Sequence, residues 1–284
     1  MASKDKDLTS TRNIAENTAW LFVEKIVSSV LSILVGAWVA RYLGPDQLGV
    51  LSLALAISGV TMIFTKRGLD SIIVKKLIEN SETRRHLLAN IVIAQTRSGL
   101  VGYLLIGVFA YTVDDRSFQL VLLILGARLV DYFGSVYRFL FEAKLNLKKV
   151  VIAGSVLSVI TSIARITLVE LECELWTFAA ALTLSQFIHS ALVYAIALPL
   201  LKEQEPHAND PTLRKGLQQE ALPLLFTGVV GFLYMTLDRL MLGWVSDTEE
   251  VGLYSVANTI AIFLFFIPTS LVKSLAPGLA DSKK

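Results

Sequence analysis

Eight stretches of the sequence are apolar and long enough to cross a membrane. They cover residues 18–40, 47–65, 88–111, 118–140, 150–169, 175–200, 222–244 and 252–272. A helix needs about 20 mostly apolar residues to span the ~30 Å hydrocarbon core of a bilayer. Because the backbone must satisfy its own hydrogen bonds in lipid, each stretch is predicted to be an α-helix. The sequence therefore predicts an all-α protein, a polytopic membrane helix bundle of about eight transmembrane helices.

The composition excludes several other classes of protein. The chain has 284 residues, of which 54% are hydrophobic and 18% charged, and its mean hydropathy is +0.61. A soluble domain is less apolar, at about 45–50%, and more charged, at about 25%. The 26 basic and 24 acidic residues nearly cancel, so no overall charge points to nucleic acid as a partner. One cysteine and three scattered histidines favour neither a disulfide nor a metal site, and no cofactor is expected.

The charges in the connections divide into two sets. The connections after the first, third, fifth and seventh predicted helices hold nine acidic residues against two basic ones. The other connections and the two chain termini hold eighteen basic residues. An excess of Lys and Arg marks the cytoplasmic side of a membrane protein. The chain is therefore predicted to be a multi-pass protein of the cell (inner) membrane with both termini in the cytoplasm, which agrees with an even number of spans.

Two of the acidic connections form a repeat. Residues 43–52 join the first two predicted helices, and residues 246–255 join the seventh and eighth at a constant offset of 203 positions. An acidic residue, Gln or Glu, an aliphatic residue, Gly, an aliphatic residue and Ser fall in step. Transporters are often built from such repeats, with a binding site between the halves. The alternative is that short turns before membrane helices look alike.

The repeat predicts the domain organisation. Residues 1–200 would form an N-terminal six-helix lobe, residues 201–221 a cytoplasmic linker, and residues 222–284 the start of a second lobe with two helices. Because the second lobe holds so few helices, we expect either a fragment of a longer protein or an unusually short member of its class.

Two segments make the sequence resemble a known family. Residues 40–52 read ARYLGPDQLGVLS, and residues 237–243 read LDRLMLG, followed by VGLYSVA at 251–257. They resemble the first hairpin and the seventh and eighth helices of the polysaccharide biosynthesis (O-antigen, Wzx-like) flippases, which belong to the multidrug/oligosaccharidyl-lipid/polysaccharide exporter superfamily. The resemblance covers essentially the whole chain. Members of the family usually carry twelve or fourteen helices in two lobes, more than the eight predicted here.

The resemblance implies a function. The family moves lipid-linked oligosaccharides, carried on a polyprenyl pyrophosphate, from the cytoplasmic to the outer leaflet. It is thought to work by alternating access, and some members couple transport to ions. By this resemblance the chain is a membrane transporter of the precursors of polysaccharides such as the O-antigen of lipopolysaccharide.

The fourth predicted helix carries the most informative charges. Its polar residues include Arg128, Asp131, Ser135 and Arg138. Their spacing of three, four and three residues would place them on one face of a continuous helix. Because a charge at mid-membrane costs about 2.5–3.5 kcal/mol, this face is expected to line the interior, where arginine forks match phosphate oxygens. The alternative is an internal salt-bridge network in which Arg128 and Asp131 satisfy each other.

Charged residues within the predicted helices are the candidate site. The candidates for contact with the pyrophosphate or glycan are Lys25, Arg97, Arg128, Arg138 and Arg239. The candidates for coupling an ion or balancing charge are Glu24, Asp131 and Asp238. Glu24 and Lys25 are neighbours and cannot pair on one helix, so the alternative for both is a partner on another helix.

Three further residues have two interpretations each. Arg165 and Arg239 lie close to the ends of their helices, where the alternative to a site is snorkelling to the membrane interface. His189 lies midway along the sixth predicted helix and has the chemistry of a proton relay. The alternative for His189 is a hydrogen-bonded core histidine.

No enzyme is predicted. The sequence contains no nucleotide-binding P-loop and no zinc-protease or hydrolase motif. No hydrophilic connection exceeds about 22 residues, which is too short for a catalytic domain. The expected partners are a polyprenyl-pyrophosphate-linked oligosaccharide, membrane lipids and other glycan-assembly membrane proteins. Two alternatives stay open: a cation or drug exporter of the same superfamily, and a truncated membrane scaffold without transport activity.

Overall fold

The computed structural model describes residues 11–79, 84–131, 133–144, 147–201 and 211–262, and the described chain is built from helices. They are α1 (Thr11–Lys66), α2 (Asp70–Glu79), α3 (Arg84–Tyr111), α4 (Arg116–Gly126), a 3-10 turn (Ala127–Leu129), α5 (Phe133–Ala143), α6 (Lys148–Glu170), α7 (Leu175–Leu201), α8 (Pro211–Val245) and α9 (248–262). The predicted continuation of the eighth helix beyond residue 262 lies outside the described residues, as do the first ten residues and 202–210 of the predicted linker.

Helix α1 contains the first two predicted spans. Gly44 breaks it with a φ of 71° and a ψ of 172°, a left-handed conformation that glycine adopts at little cost. Pro45 follows and cannot continue a helical hydrogen-bond ladder. Trp20, before the break, and Leu69, after the end of α1, pack in the same buried cluster. The chain therefore reverses direction at Gly44, and α1 forms two arms, residues 11–43 and 45–66.

The acidic connections meet at one end of the bundle. The Tyr42 hydroxyl donates to the carbonyl oxygen of Cys173 over 3.1 Å, which joins the break in α1 to the α6–α7 connection. Thr248, at the start of α9, donates a hydrogen bond to the Asp46 carboxylate. Arg116 and Glu174 line one shallow surface pocket with the α1 break nearby. We call this the acidic end.

The basic connections meet at the opposite end, which we call the basic end. Lys76 of α2 pairs with Glu220 near the start of α8 over 2.8 Å. The Lys148 amine lies 5.3 Å from the centre of the Trp20 ring. Successive connections thus alternate between the two ends, as the charge pattern of the sequence predicts.

The predicted fourth span is not a continuous helix, and this corrects the expectation for its charges. Helix α4 ends at Gly126, the 3-10 turn follows, and Asp131 lies outside any helix before α5 begins at Phe133. Neighbouring backbones approach closely here: an added Cβ at Gly99 of α3 would lie 2.0 Å from the Leu129 carbonyl oxygen. Arg128, Asp131 and Arg138 therefore do not share one helical face.

Five described helices are long and apolar enough to span a membrane. They are Glu24–Lys66, Arg84–Tyr111, Lys148–Glu170, Leu175–Leu201 and Thr212–Val245. The first includes two predicted spans, joined at the Gly44 break. Helices α4 and α5 are each 11 residues long, too short to cross alone. The all-α membrane bundle is confirmed, whereas the exact count of eight spans is not.

Two buried apolar clusters hold the helices together, one toward each end. On α7, Phe178 and Ala179 belong to the cluster near the acidic end, and Val193 and Ala197 to the cluster near the basic end. Ser190 lies between them and is 1% exposed. Ser190 therefore marks a polar layer on α7 between the two apolar cores.

Candidate functional site

A charge network in the polar layer is centred on Arg138 of α5. Its Nη1 and Nη2 donate to Oε1 and Oε2 of Glu24 over 3.1 and 2.9 Å. Its Nε donates to Oε1 of Glu142, one turn further along α5, over 3.4 Å. Side-chain exposures of 26%, 16% and 30% for Arg138, Glu24 and Glu142 show that solvent has limited access. Two-pronged contacts between arginine and carboxylate are among the stronger ion pairs in proteins.

The network carries one more negative than positive formal charge, because two carboxylates share one guanidinium. His189 of α7 lies beside the network. Gly154 of α6 leaves space for the side chains of Glu24 and His189. A Cβ added at Gly154 would lie 3.2 Å from Oε1 of Glu24 and 3.4 Å from Nε2 of His189. Helices α1, α5, α6 and α7 therefore meet at this point.

Asp131 is the second buried acid of the polar layer. Its side chain is 7% exposed, and its Oδ2 accepts a hydrogen bond from the Ser190 hydroxyl over 2.7 Å. Arg128 lies within electrostatic range of the same carboxylate. The break between α4 and α5 thus places an acid against α7 that a continuous helix would place elsewhere.

The remaining predicted site residues lie apart from these two groups. Lys25 and Arg97 have exposed side chains. Asp238 of α8 is exposed and accepts a hydrogen bond from Tyr254 of α9. Arg239 is half-buried, and its Nε has no hydrogen-bond partner among the described residues. The structure therefore brings Glu24 together with Arg138, and Arg128 together with Asp131.

Sequence reasoning did not include two residues of these groups. Glu142 is four residues after Arg138, a spacing at which side chains on a helix meet, so the sequence held a signal for it. Ser190 carried no such signal, because it lies 59 positions from Asp131. For Glu24 the alternative to ion coupling was a partner on another helix, and the structure places Arg138 against it.

The two repeated segments pack directly against each other at the acidic end. A Cβ added at Gly49 would lie 1.7 Å from the Thr248 carbonyl oxygen, and one at Gly252 would lie 1.9 Å from the Pro45 carbonyl oxygen. Under the offset of 203 positions, Gly49 corresponds to Gly252 and Pro45 to Thr248. The contact therefore maps onto itself when the repeats are exchanged, which is a local two-fold relation.

Long side chains connect α8 to the rest of the bundle at the basic end. Besides the pair of Lys76 and Glu220, Nη1 of Arg214 donates to Oδ1 of Asn90 on α3 over 3.4 Å. The hydrogen bond with Glu220 raises the pKa of Lys76 above the usual lysine value. Lys76 therefore stays protonated throughout the neutral range.

The described residues include no cluster of three His, Cys, Asp or Glu side chains that could hold a metal ion. The site is thus made of charged pairs and of contacts between helices.

The fold and these contacts define the class of protein: a polytopic all-α membrane protein with an internal repeat, which is the construction of many transporters. A family model described as polysaccharide biosynthesis protein matches residues 14–282. The chain belongs to this family, a Wzx-like flippase family of the multidrug/oligosaccharidyl-lipid/polysaccharide exporter superfamily, which confirms the resemblance. The family is one of membrane transporters and not of enzymes. Comparisons with curated proteins and with solved structures found no match.

Proposed function

We propose that the chain acts as a flippase that moves lipid-linked oligosaccharide or polysaccharide precursors across the cytoplasmic membrane by alternating access. The observation that carries this proposal is the reciprocal contact of Gly49 with Thr248 and of Gly252 with Pro45. Repeats that face each other across a local two-fold relation are typical of alternating-access transporters, which bind substrate between the halves. Membership of the family supplies the substrate class, the precursors of polysaccharides.

The charges at the two ends of the bundle predict its orientation in the membrane. The basic end, with Lys76 and Lys148, is assigned to the cytoplasm by the positive-inside rule, which also places both chain termini there. The acidic end, with Asp46 and Glu174, then faces outward. In this orientation the substrate enters from the basic end.

Helices α8 and α9 contact the rest of the bundle at both of its ends. At the acidic end, backbone meets backbone at Gly49 and Gly252. At the basic end, the Glu220 side chain is 54% exposed in its pair with Lys76. Exposed ion pairs contribute about 0–1 kcal/mol, so this contact separates at little cost. Helix α8 also packs closely at the basic end, where an added Cβ at Gly68 would lie 2.6 Å from the Ala221 carbonyl oxygen, so the conformation is closed at both ends.

The Arg138 network is our candidate for ion coupling. Its excess negative charge lies within the span, where an uncompensated charge costs about 2.5–3.5 kcal/mol on insertion scales. Uptake of one proton or one monovalent cation between Glu24 and Glu142 would neutralise the group. We assign Asp131 and Asp238 to balancing Arg128 and Arg239.

Five basic residues remain our candidates for contact with the pyrophosphate or glycan: Lys25, Arg97, Arg128, Arg138 and Arg239. A phosphate arriving at Arg138 would compete with Glu24 and Glu142 for the same donors. Uptake of a proton or cation by Glu24 and Glu142 would release Arg138 for the phosphate, so substrate binding and ion uptake would favour each other, which is a direct way to couple them.

Complementation tests the proposal in cells that lack their own glycan flippase. We expect the wild-type chain to restore surface polysaccharide, and Arg138→Gln to reduce it to background because the network loses its only cation. Lys75→Gln is the matched control, since the Lys75 side chain is 75% exposed at the same end of the bundle. Full restoration by Arg138→Gln at equal membrane abundance would remove the network from the mechanism.

A further inference from the structure

A groove lies between the second arm of α1 and helix α3, away from the charge network. It has a volume of about 460 Å³, and its walls include Ile57, Phe64, Val101, Leu105 and Phe109. The two helices run in opposite directions, so the groove follows them from the acidic half of the bundle toward the basic end. The ten steps from residue 57 to residue 67 correspond to about 15 Å along a helix, which is half the thickness of a bilayer core.

The hydroxyl groups along the groove are already satisfied by their own helices. Thr61 donates to the Ile57 carbonyl and Thr65 to the Thr61 carbonyl, each over 3.0 Å. Ser98 donates to the Ala94 carbonyl over 2.9 Å. Because these donors need no water, a hydrocarbon chain can lie against them without leaving a hydroxyl hydrogen unbonded. The groove is therefore apolar in effect along its whole length.

One cation, Arg67, lines the groove at the basic end. Among the described residues it pairs with no carboxylate, whereas its neighbour Lys66 is bonded to Asp70 over 2.7 Å. The backbone of Arg67 has a φ of 52°, a left-handed conformation that is uncommon for residues other than glycine. It is followed by Gly68, where an added Cβ would lie 2.6 Å from the Ala221 carbonyl oxygen. Close packing against α8 thus fixes the turn that holds Arg67 at the groove.

We propose that this groove binds one anionic phospholipid of the cytoplasmic leaflet, with an acyl chain along the groove and the phosphate at Arg67. An apolar channel with a single cation at its mouth complements an amphiphile with one apolar chain and one negative charge. Polybasic segments at the cytoplasmic surface attract anionic lipids, which concentrates such lipids beside Arg67. The site is separate from the proposed transport of glycan precursors and does not depend on it.

The charge at the mouth favours a phospholipid over the pyrophosphate carrier. A phosphodiester headgroup carries one negative charge, which one guanidinium balances through a two-pronged contact. A pyrophosphate carries more charge and would leave an excess at a site where Arg67 is the cation that lines the groove. The groove is thus assigned to a lipid that stays bound while the carrier passes elsewhere.

Native mass spectrometry of the full chain in detergent tests this assignment. The protein is titrated with phosphatidylglycerol or with phosphatidylcholine of identical acyl chains. We expect one phosphatidylglycerol to be retained in preference, and Arg67→Gln to weaken its binding roughly tenfold, since the charge-assisted hydrogen bonds from the guanidinium to the phosphate are lost. Lys75→Gln, which removes an exposed lysine at the same end, should leave binding unchanged.

A second variant tests the groove itself without touching the charge. Val101 is 57% exposed, so Val101→Trp fills the groove with little effect on folding, and it should abolish retention of both phospholipids. Unfolding temperatures without added lipid check that each variant is folded. Equal retention of phosphatidylglycerol by wild type and Arg67→Gln would overturn the proposal. So would displacement of phosphatidylglycerol by an equimolar polyprenyl pyrophosphate.

Discussion

At the residue scale, Arg138 determines how the buried charges of the bundle are arranged. It holds Glu24, which lies 114 positions earlier in the chain, and Glu142 on its own helix. Removing a partner from a buried ion pair is costly because the remaining charge stays buried. The three members of the network should therefore respond very differently to neutralisation.

Neutralising the cation should harm stability more than neutralising one acid. Arg138→Gln leaves two carboxylates facing each other, whereas Glu24→Gln leaves Arg138 balanced by Glu142. We expect a loss of about 3–5 kcal/mol for the arginine variant and clearly less for the glutamate variant. Thermal unfolding of both variants in the same detergent measures the difference. Equal losses would show that the excess negative charge is already neutralised.

The glycines of the repeat allow a second test at this scale. Gly49→Ala and Gly252→Ala each place a methyl group within 2 Å of a backbone carbonyl oxygen, so the repeats must move apart. Overpacking of this kind costs about 1–3 kcal/mol, and we expect lower unfolding temperatures for both. Gly36→Ala is the matched control on α1, because nothing lies within 4 Å of the added atom; it should be neutral or slightly stabilising.

At the element scale, the sequence predicted the helices well, but it predicted only one of the two breaks within them. The Gly44-Pro45 break in α1 was expected because both residues interrupt a helix locally. The break after Gly126 was not expected, since the apolar run of the predicted fourth span continues through it. Tertiary contacts cause it: the Leu129 carbonyl lies against Gly99, and the Asp131 carboxylate binds Ser190 of α7. Such contacts join elements distant in sequence, so no local pattern reports them.

The pair between α2 and α8 should act as a separable contact at the basic end. In a Cys173→Ser background, a disulfide between Lys76→Cys and Glu220→Cys would hold this end closed, and glycan export should stop until a reductant is added. Lys75→Cys with Glu220→Cys is the control, because Lys75 pairs with Glu79 on its own helix instead. Continued export by the oxidised Lys76→Cys, Glu220→Cys variant would show that the basic end need not open.

The same pair gives an expectation for pH. The hydrogen bond from Lys76 to Glu220 raises the pKa of the lysine. Its stabilisation is therefore complete below the usual lysine pKa and is lost only as the pH rises through the raised value. The difference in unfolding temperature between wild type and Lys76→Gln should be constant through the neutral range and fall only in strong alkali. A fall near neutral pH would indicate that another group controls the contact.

At the scale of the whole molecule, the charge pattern of the connections predicted which loops lie together. The loops that hold Asp46, Glu174 and Thr248 meet at one end, as the alternation of charge required. The candidate site was predicted less completely, because depth along a helix identifies buried charges but not their partners. Arg138 is among the residues predicted to contact a phosphate, and the structure adds Glu24 and Glu142 as its partners. The face that a side chain meets depends on how helices pack, which the sequence does not state.

The sole cysteine of the chain reports the orientation. Cys173 lies at the acidic end, in the connection between α6 and α7. A membrane-impermeant maleimide should therefore label it in intact cells, and Cys173→Ser should abolish the signal. When Lys75→Cys is added to Cys173→Ser, the new thiol should be labelled only after the cells are opened. The reverse pattern would invert the orientation of the bundle.

Translocation by the purified chain tests the account most directly. Proteoliposomes carry a fluorescent polyprenyl-pyrophosphate-linked oligosaccharide in both leaflets, and an impermeant reductant quenches whatever reaches the outer one. The account predicts quenching of nearly all the fluorescence with the wild-type chain, and of about half with Arg138→Gln or with protein-free vesicles. Quenching of only half with the folded wild-type chain would contradict a flippase.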